Sequence, residues 1–278
     1  MVDNERDMNS QDRKSMTNQT STRRGFAVWF ERLLAAIFLG GQVFFHLLKS
    51  RIHRRNTLEQ MSVVGPESLT IALVTAGFVG MVFTIQVARE FIHFGAASTV
   101  GGVLSLALTR ELAPVLTAVV VAGRVGSAFA AEIGTMRVTE QIDALYMLKT
   151  DPIDYLVVPR VLACCMMLPV LNLLSLMTGM AGGLLIADSL YDISPVVFLK
   201  SARNFLELWD LLTSIIKSIV FGGLIAVIGC SWGLTTTGGA KGVGQSTTTA
   251  VVTALLAVFV VNFFLSWFMF KGTGTTSL

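Results

Sequence analysis

The chain has 278 residues, of which 53% are apolar and 14% are charged, with a formal net charge of +3. Soluble domains carry about 25% charged residues, so this composition excludes an ordinary soluble domain and indicates a protein embedded in a membrane. Ten of the 21 lysines and arginines precede residue 60, beside the first apolar segment. The positive-inside rule accounts for this asymmetry, and we therefore expect no nucleic-acid partner.

The cysteines Cys164, Cys165 and Cys230 all lie in apolar runs without CxxC spacing. Such cysteines are typical of small buried side chains, so we expect no metal site, no disulfide framework and no cofactor. The sequence also lacks an HExxH motif, and its three histidines, His46, His53 and His93, all precede the central stretch at 110–145. This argues against a hydrolase and predicts no catalytic residues.

The N-terminal region divides into two parts. Residues 1–24 are polar and predict a disordered tail. Residues 25–55 are apolar but contain Glu31 and Arg32 and end in a basic cluster. This segment could be a membrane span or an amphipathic helix in the membrane interface, and its charges favour the interfacial helix.

Residues 56–278 form the main domain, with five apolar windows long enough to cross a bilayer. These windows are residues 67–88, 100–126, 161–187, 212–234 and 248–270. Gly77 and Gly80 in the first window, and Gly179 and Gly183 in the third, have spacings that allow close helix approach. The sequence therefore predicts an all-α polytopic membrane protein with an N-terminal interfacial helix and five transmembrane helices.

Arg110 and Glu111 lie inside the second window. Charged residues within spans are costly and usually face a bundle interior or an aqueous cavity, so this pair is a candidate functional site. The alternative is that the two charges neutralise each other at a helix contact. Pro114 lacks an N–H and cannot bond the carbonyl of Arg110, which would leave that oxygen free. Lys217, near the outer end of the fourth window, is expected to snorkel to the headgroups.

Residues 134–160 return to water and contain an amphipathic segment. Thr135 is a possible N-cap, Arg137 and Glu140 have the spacing of a helical ion pair, and Asp143 extends the acidic edge. The segment could be a solvated loop helix or a docking helix for a cytoplasmic partner.

The polar, glycine-rich stretch at 235–247 is predicted to be a loop. Residues 239–246 nearly match the phosphate-binding pattern GxxxxGK[ST], but Gln245 stands where the phosphate-binding lysine is needed, and a membrane helix precedes it instead of a strand. We therefore expect no nucleotide site in this chain, so active transport would require a separate ATPase.

Several segments resemble the MlaE (YrbE) family of ABC-transporter permeases. They are RELAPVLTA (110–118), AGRVGSAFAAEIGTM (122–136), TEQIDAL (139–145), DPIDYLVVPR (151–160) and the preceding FGAASTVGG (94–102). The similarity covers roughly residues 55–270. The family-motif positions that it marks are Gly123, Arg124, Gly126, Ser127, Glu132 and Gly134.

The resemblance implies a homodimeric permease that works with a cytoplasmic ABC ATPase and an MCE-domain substrate-binding protein to move phospholipids or related lipids between membranes. It implies a cytoplasmic coupling helix at about 135–148, between the second and third spans. The residues expected to couple to the ATPase are Thr135, Arg137, Glu140, Gln141 and Asp143. It also implies that Arg110 and Glu111 lie near the lipid pathway, beside Pro114.

We therefore predict the permease subunit of a lipid-transporting ABC system, a multi-pass protein of a bacterial inner membrane, a cyanobacterial membrane or a plastid envelope. The alternative is a self-sufficient secondary transporter or channel in which Arg110 and Glu111 relay ions or protons. The scarcity of intramembrane ionisable residues argues against such a relay, and so does the lack of a clear inverted repeat.

Overall fold

A computed structural model describes residues 29–43, 45–46 and 54–271, with only the backbone of residue 54. The tail predicted at 1–24 lies outside these residues, as does most of the basic cluster before residue 56. The described chain is helical throughout, without a strand, which confirms the predicted all-α class.

Ten α-helices and four short turns follow one another along the described chain. The first helix, α1, covers residues 29–43 and continues at 45–46. The others are α2 (Arg54–His93), α3 (Val100–Ala107), α4 (Ala113–Val121), α5 (Ser127–Val138), α6 (Gln141–Met147), α7 (Val158–Tyr191), α8 (Pro195–Phe205), α9 (Leu208–Leu234) and α10 (Gly239–Phe270). A 3-10 turn at Ala97–Thr99 precedes α3, and π-helical turns at Leu108–Leu112, Ala122–Gly126 and Ile153–Val157 join α3 to α4, α4 to α5 and lead into α7.

Five continuous helical segments of the described chain are long and apolar enough to cross a membrane, which confirms the predicted number. They are Arg55–His93, Ala97–Val138, Ile153–Tyr191, Leu208–Leu234 and Gly239–Phe270. All are longer than predicted, because their polar ends continue the helix beyond the apolar windows. At 1.5 Å per residue the second segment is about 63 Å long, twice the thickness of a bilayer's hydrocarbon core.

The two ends of the bundle differ. At one end the turn after α9 meets the end of α5, where Gly134 approaches the Thr236 side chain. At the other end α8 packs across α3, where Gly101 lies against the backbone of Phe198. We call these the α6 end and the α8 end.

Two predicted boundaries are wrong. Thr135 does not begin a helix; it lies inside α5, and its hydroxyl donates to the Ala131 carbonyl at 2.8 Å. The chain turns instead at Glu140, which has a left-handed backbone with φ of 61°, and the next helix begins at Gln141. The expected loop at 235–247 is also mostly helical, because α10 already begins at Gly239.

Glycine contacts join α2 to α7, at the two glycine spacings for which the sequence predicts close helix approach. A Cβ added at Gly80 would collide with the carbonyl of Gly179, and one added at Gly182 would collide with the carbonyl of Gly77. The two backbones are therefore in direct contact, which only residues without side chains allow.

We expect Gly80→Ala to lower the free energy of unfolding by about 1–3 kcal/mol, because the new methyl group overpacks this contact. Gly244→Ala is the matched control, since a Cβ at Gly244 meets nothing within 4 Å. Unfolding of both variants in mild detergent, followed by circular dichroism, measures the difference. Equal stability of the two variants would contradict the close contact.

Candidate functional site

The helix that carries Arg110 and Glu111 changes from α-helical to π-helical geometry at these two residues. Both residues lie in the π-helical turn Leu108–Leu112, and Pro114 follows within the next helix. Because Pro114 has no N–H, the carbonyl of Arg110 lacks the usual donor four residues later. Lys217 of α9 supplies the replacement, since its Nζ donates to that carbonyl at 2.6 Å. The Arg110 carbonyl, which the sequence predicts to be free, therefore accepts a hydrogen bond from Lys217.

Lys217 is completely buried, with a side-chain exposure of 0%. The lysine ammonium has three N–H donors, and Lys217 uses each of them. Besides the Arg110 carbonyl, it donates to Glu111 Oε1 at 2.9 Å and to Ser266 Oγ at 2.8 Å. The prediction that this lysine snorkels to the headgroups is wrong, because its partners lie inside the bundle.

Glu111 receives donors from two helices. In addition to the hydrogen bond from Lys217, Glu111 Oε2 accepts one from Asn262 Nδ2 at 2.7 Å, and Glu111 Oε1 accepts one from Ser266 Oγ at 2.7 Å. Its side chain remains 44% exposed. One oxygen is thus held by the lysine and a serine of α10, while part of the carboxylate faces the space outside this chain.

Arg110 and Glu111 do not neutralise each other. Arg110 Nε donates to Asp210 Oδ1 at 2.7 Å, and its guanidinium lies 4.7 Å from the centre of the Phe270 ring. Asp210 is only 1% exposed, whereas Arg110 is 39% exposed. The buried acid holds one edge of the guanidinium, so part of the planar group stays accessible.

We call these residues the Lys217 cluster: Arg110, Glu111, Asp210, Lys217, Asn262 and Ser266. The cluster belongs to the half of the bundle near the α8 end, because Lys217 lies about 13 Å along α9 from its start at Leu208. It joins the π-helical turn before α4 to both α9 and α10. The structure thus surrounds both charged residues selected from the sequence with partners from the fourth and fifth spans.

The family-motif residues brace α5 and the turn before it. Arg124 Nη2 lies 3.1 Å from Glu67 Oε2 of α2, and Arg160 Nη2 of α7 lies 2.8 Å from Glu132 Oε2. The backbone of Gly126 is in close contact with Gly229 of α9, because a Cβ on Gly229 would lie only 2.9 Å from the Gly126 carbonyl.

The remaining motif residues make local contacts. Ser127 Oγ donates to the carbonyls of Gly123 and Arg124 at 2.6 and 2.8 Å. A Cβ at Gly123 would meet nothing within 4 Å, whereas one at Gly134 would lie 3.1 Å from Thr236 Oγ1. Gly123 therefore borders open space, and Gly134 is a packing contact.

The residues predicted to couple to an ATPase lie at the α6 end, far from the Lys217 cluster. Thr135 is about 38 Å along the same continuous helical segment from Arg110. Arg137 Nη1 pairs with Asp143 Oδ1 at 2.7 Å, and not with Glu140, which occupies the turn. Gln141 begins α6. The predicted Arg137–Glu140 pair is therefore wrong, and Arg137 pairs across the turn with Asp143 instead.

The short helix α6 presents an apolar tip. Ile142 anchors the helix because only 2% of it is exposed, whereas Tyr146, Met147 and Leu148 are 59%, 86% and 74% exposed. The apolar residues of the predicted amphipathic segment are therefore split between the core and the surface.

A histidine and two acids meet near α1. His46 Nδ1 lies 2.8 Å from Asp154 Oδ1, and Asp151 is close enough for one oxygen from each acid and the imidazole nitrogen to lie within 4.8 Å of one another. Asp151 already accepts the Ile153 N–H at 2.9 Å. The His46–Asp154 contact ties α1 to the start of the third span, and the absence of a metal site stays a prediction.

Four members of the Lys217 cluster are not predicted from the sequence to be partners of Arg110 or Glu111: Asp210, Lys217, Asn262 and Ser266. One signal was available for Lys217, because a charged residue inside a span usually has a partner, and Glu111 is the acid in the interior of the apolar windows, the other acid, Glu67, standing at the edge of the first. Asp210 belongs to a capping box with Glu207, a pattern that explains its position but not its pairing with Arg110.

Buried ion pairs between membrane-spanning helices, with one arginine partly accessible, are typical of transport proteins. The comparisons with known proteins specify the class. Residues 57–268 match the family Permease MlaE. A Synechocystis protein named "probable ABC transporter permease protein" is 74% identical over 92% of this chain and 98% of its own.

Two further relatives come from plastid-bearing organisms. The Arabidopsis thaliana protein trigalactosyldiacylglycerol 1, chloroplastic, is 53% identical over 89% of this chain and 70% of its own. A "probable ABC transporter permease protein" of Pyropia yezoensis is 51% identical over 89% and 94%. The chain belongs to the MlaE permease family, which confirms the resemblance stated from the sequence.

The two partners of the buried ion pair should differ in their effect on stability. Glu111→Gln leaves the fully buried ammonium of Lys217 without its counter-charge, and we expect it to cost about 3 kcal/mol of unfolding free energy. Lys217→Met leaves Glu111, which is partly exposed and keeps Asn262, and should cost less.

The double variant should be less destabilised than the sum of the single variants, because the second change removes the charge that the first leaves unpaired. Lys200→Met on α8 is the control, since this lysine is exposed. Denaturant unfolding in mild detergent gives all four values. Additive effects would show that Lys217 and Glu111 do not depend on each other.

Proposed function

We propose that this chain is the permease subunit of an ABC transporter that moves lipids and that a separate ATPase drives. The observation that carries the proposal is the Lys217 cluster, which places paired charges and an accessible guanidinium between apolar spans of a chain in the MlaE family. The chain would perform no chemistry of its own. Its task would be to hold a lipid and to change conformation when the ATPase closes.

The cluster suits the polar part of a lipid. A lipid pathway needs apolar walls for the acyl chains and a few polar groups for the headgroup. Arg110 supplies an accessible planar donor, which matches phosphate oxygens, and Glu111 supplies an accessible acceptor for hydroxyl groups. The name of the Arabidopsis relative refers to a glycolipid, trigalactosyldiacylglycerol. This supports a lipid as the substrate here. We propose phospholipids or related membrane lipids.

The α6 end would receive the ATPase. The apolar tip of Tyr146, Met147 and Leu148 is exposed, and such tips are energetically useful where they fill a partner's pocket. The Arg137–Asp143 pair fixes the turn that presents the tip. We propose that Thr135, Arg137, Glu140, Gln141 and Asp143 form the support of this coupling helix and that the tip makes the contact.

A second copy of the chain would complete the pathway. On α10, Phe263, Phe264 and Phe268 are 61%, 57% and 87% exposed, and α10 also carries Asn262 and Ser266 of the cluster. A two-fold axis beside α10 would bring two clusters toward each other. The proposal therefore includes a homodimer, together with an MCE-domain protein that delivers or receives the lipid.

The relatives suggest the membrane. They come from a cyanobacterium, from plastid-bearing organisms and from bacteria. We propose a bacterial inner membrane, a cyanobacterial membrane or a plastid envelope, with the α6 end on the side of the ATPase. In this orientation α1 lies at the interface of the same side, as its charges predict.

Placing a charge on the apolar tip should break the contact with the ATPase. We expect Met147→Asp combined with Leu148→Asp to weaken the association by tenfold or more, by roughly 2 kcal/mol, as for a binding hot spot. Co-purification of the tagged permease with its ATPase measures the change.

The control is Val196→Asp on α8, which introduces the same charge at the α8 end into a side chain that is 74% exposed. Undiminished co-purification of the doubly substituted tip would refute α6 as the coupling helix, whereas loss in both variants would indicate a general defect in folding.

Arg110→Lys should separate lipid handling from assembly. Lysine keeps the positive charge beside Asp210 but loses the planar fork, so the complex should assemble while lipid transfer falls about tenfold. Transfer between liposomes by the reconstituted complex is the measurement. Arg203→Lys, at an exposed residue of α8, should transfer lipid normally. Full transfer by Arg110→Lys would remove the guanidinium from the lipid pathway.

A further inference from the structure

A groove of about 680 Å³ lies between α1, α9 and α10, away from the Lys217 cluster. Its walls are almost entirely apolar and include Ala36 of α1, Gly223 of α9 and Ala257 of α10. None of the cluster's residues lines it. Small residues keep the floor of the groove open, and the volume falls in the range of sites for small molecules.

The groove has the dimensions of one membrane leaflet. It extends along α9 from Trp232 to Ile219, which corresponds to about 20 Å of helix. One leaflet of the hydrocarbon core is about 15 Å thick. Since α9 and α10 both cross the membrane, a groove along them that begins near the α6 end lies at the depth of acyl chains in that leaflet.

Donors gather where the groove meets the α6 end. Arg32 Nη1 lies 3.5 Å from Ser246 Oγ, and Arg32 Nη2 lies 3.3 Å from the Thr235 carbonyl. Both contacts are long for hydrogen bonds and both acceptors are neutral. Within 29–43, 45–46 and 54–271, no carboxylate lies within 4 Å of this guanidinium. Among the described residues the charge of Arg32 is therefore uncompensated, and Arg32 is adjacent to Leu33, which lines the groove.

A second donor is also unsatisfied. Trp232 lines the groove and is fully buried, yet its Nε1 has no hydrogen-bond partner among the described residues. The other tryptophan of the groove, Trp29, does have one, because its Nε1 donates to Thr253 Oγ1 at 3.0 Å. A buried donor without an acceptor is costly.

We propose that the groove binds one acyl chain of a phospholipid, with the phosphate on Arg32. The apolar length selects a long hydrocarbon chain, and the guanidinium, which has no carboxylate partner among the described residues, selects an anionic phosphate. A lipid with an uncharged sugar headgroup would fill the groove but leave Arg32 unpaired. The bound lipid would form part of the contact between α1 and the α9–α10 pair.

The test is photolabelling of the full-length chain in dodecyl maltoside, a detergent without phosphate. The probe is phosphatidylglycerol with a diazirine in one acyl chain, and labelled peptides are identified by mass spectrometry. We expect labels on α1 and on the groove segments of α9 and α10. A matched probe, monogalactosyldiacylglycerol with the same diazirine chain, should label these segments about tenfold less, because it lacks the charged contact.

Two pairs of variants test the walls and the charge separately. Ala257→Trp should fill the groove and reduce labelling about tenfold, whereas Val252→Trp, on α10 but outside the groove, should leave it unchanged. Arg32→Gln should reduce phosphatidylglycerol labelling about tenfold, and Arg32→Lys should retain most of it. Ser246→Ala removes a neutral partner of Arg32 and should not reduce labelling.

Three outcomes would overturn the proposal. Labels spread over exposed apolar residues and unaffected by Ala257→Trp would show that the groove holds no lipid. Equal labelling by the two probes would show that Arg32 does not select phosphate. Loss of labelling in Ser246→Ala as strong as in Arg32→Gln would mean that Arg32 only positions α1. The experiment measures binding in the isolated chain, so its result does not depend on lipid transport or on the ATPase.

Discussion

The buried ammonium of Lys217 is the constraint on which the centre of the molecule depends. An isolated charge removed from water costs several kcal/mol, and this one is stable because three acceptors surround it. The acceptors come from the turn before α4 and from α10, so the lysine determines how three spans meet. Pro114 is part of the same arrangement, because a residue with an N–H in its place would compete for the Arg110 carbonyl. The Arg110 carbonyl, left without a backbone donor, and the buried ammonium of Lys217 thus satisfy each other's need for a hydrogen-bond partner.

The second span connects the two ends of the protein. Residues Ala97–Val138 form one helical segment that carries the Lys217 cluster near the α8 end and leads into α6 at the other. Two π-helical turns interrupt it, and such turns are frequent at functional sites. Arg124 and Glu132 tie the second half of the segment to α2 and α7. A force applied at α6 would therefore be transmitted along this helical segment. Its two halves could shift relative to each other at the π-helical turns.

The sequence predicts the elements of this protein better than its contacts. Apolar windows identify the five spans, and the glycine spacings mark where helices approach closely, because bilayer thickness and close helix packing leave local signatures. The sequence does not show that these glycines pair α2 with α7. The ends of the helices are missed because polar residues continue α5 past Thr135 and begin α10 at Gly239. The partners of Arg110 and Glu111 are missed because Asp210 and Lys217 lie about a hundred residues away in sequence, and only the tertiary structure brings them together.

The charges of the Lys217 cluster cancel, since Arg110 and Lys217 face Asp210 and Glu111. A headgroup would therefore not be drawn in by net charge. It would instead contact Arg110 and Glu111, which remain partly accessible, because their partners Asp210 and Lys217 are buried. An accessible guanidinium that already has a counter-ion binds phosphate more weakly than a free one, because part of its charge is satisfied before the ligand arrives. Weak and reversible contact suits a transport pathway, in which a lipid must leave as readily as it binds. Arg32 differs in this respect, since no carboxylate among the described residues lies within ion-pair distance of it, and a lipid held there would be retained instead of passed on.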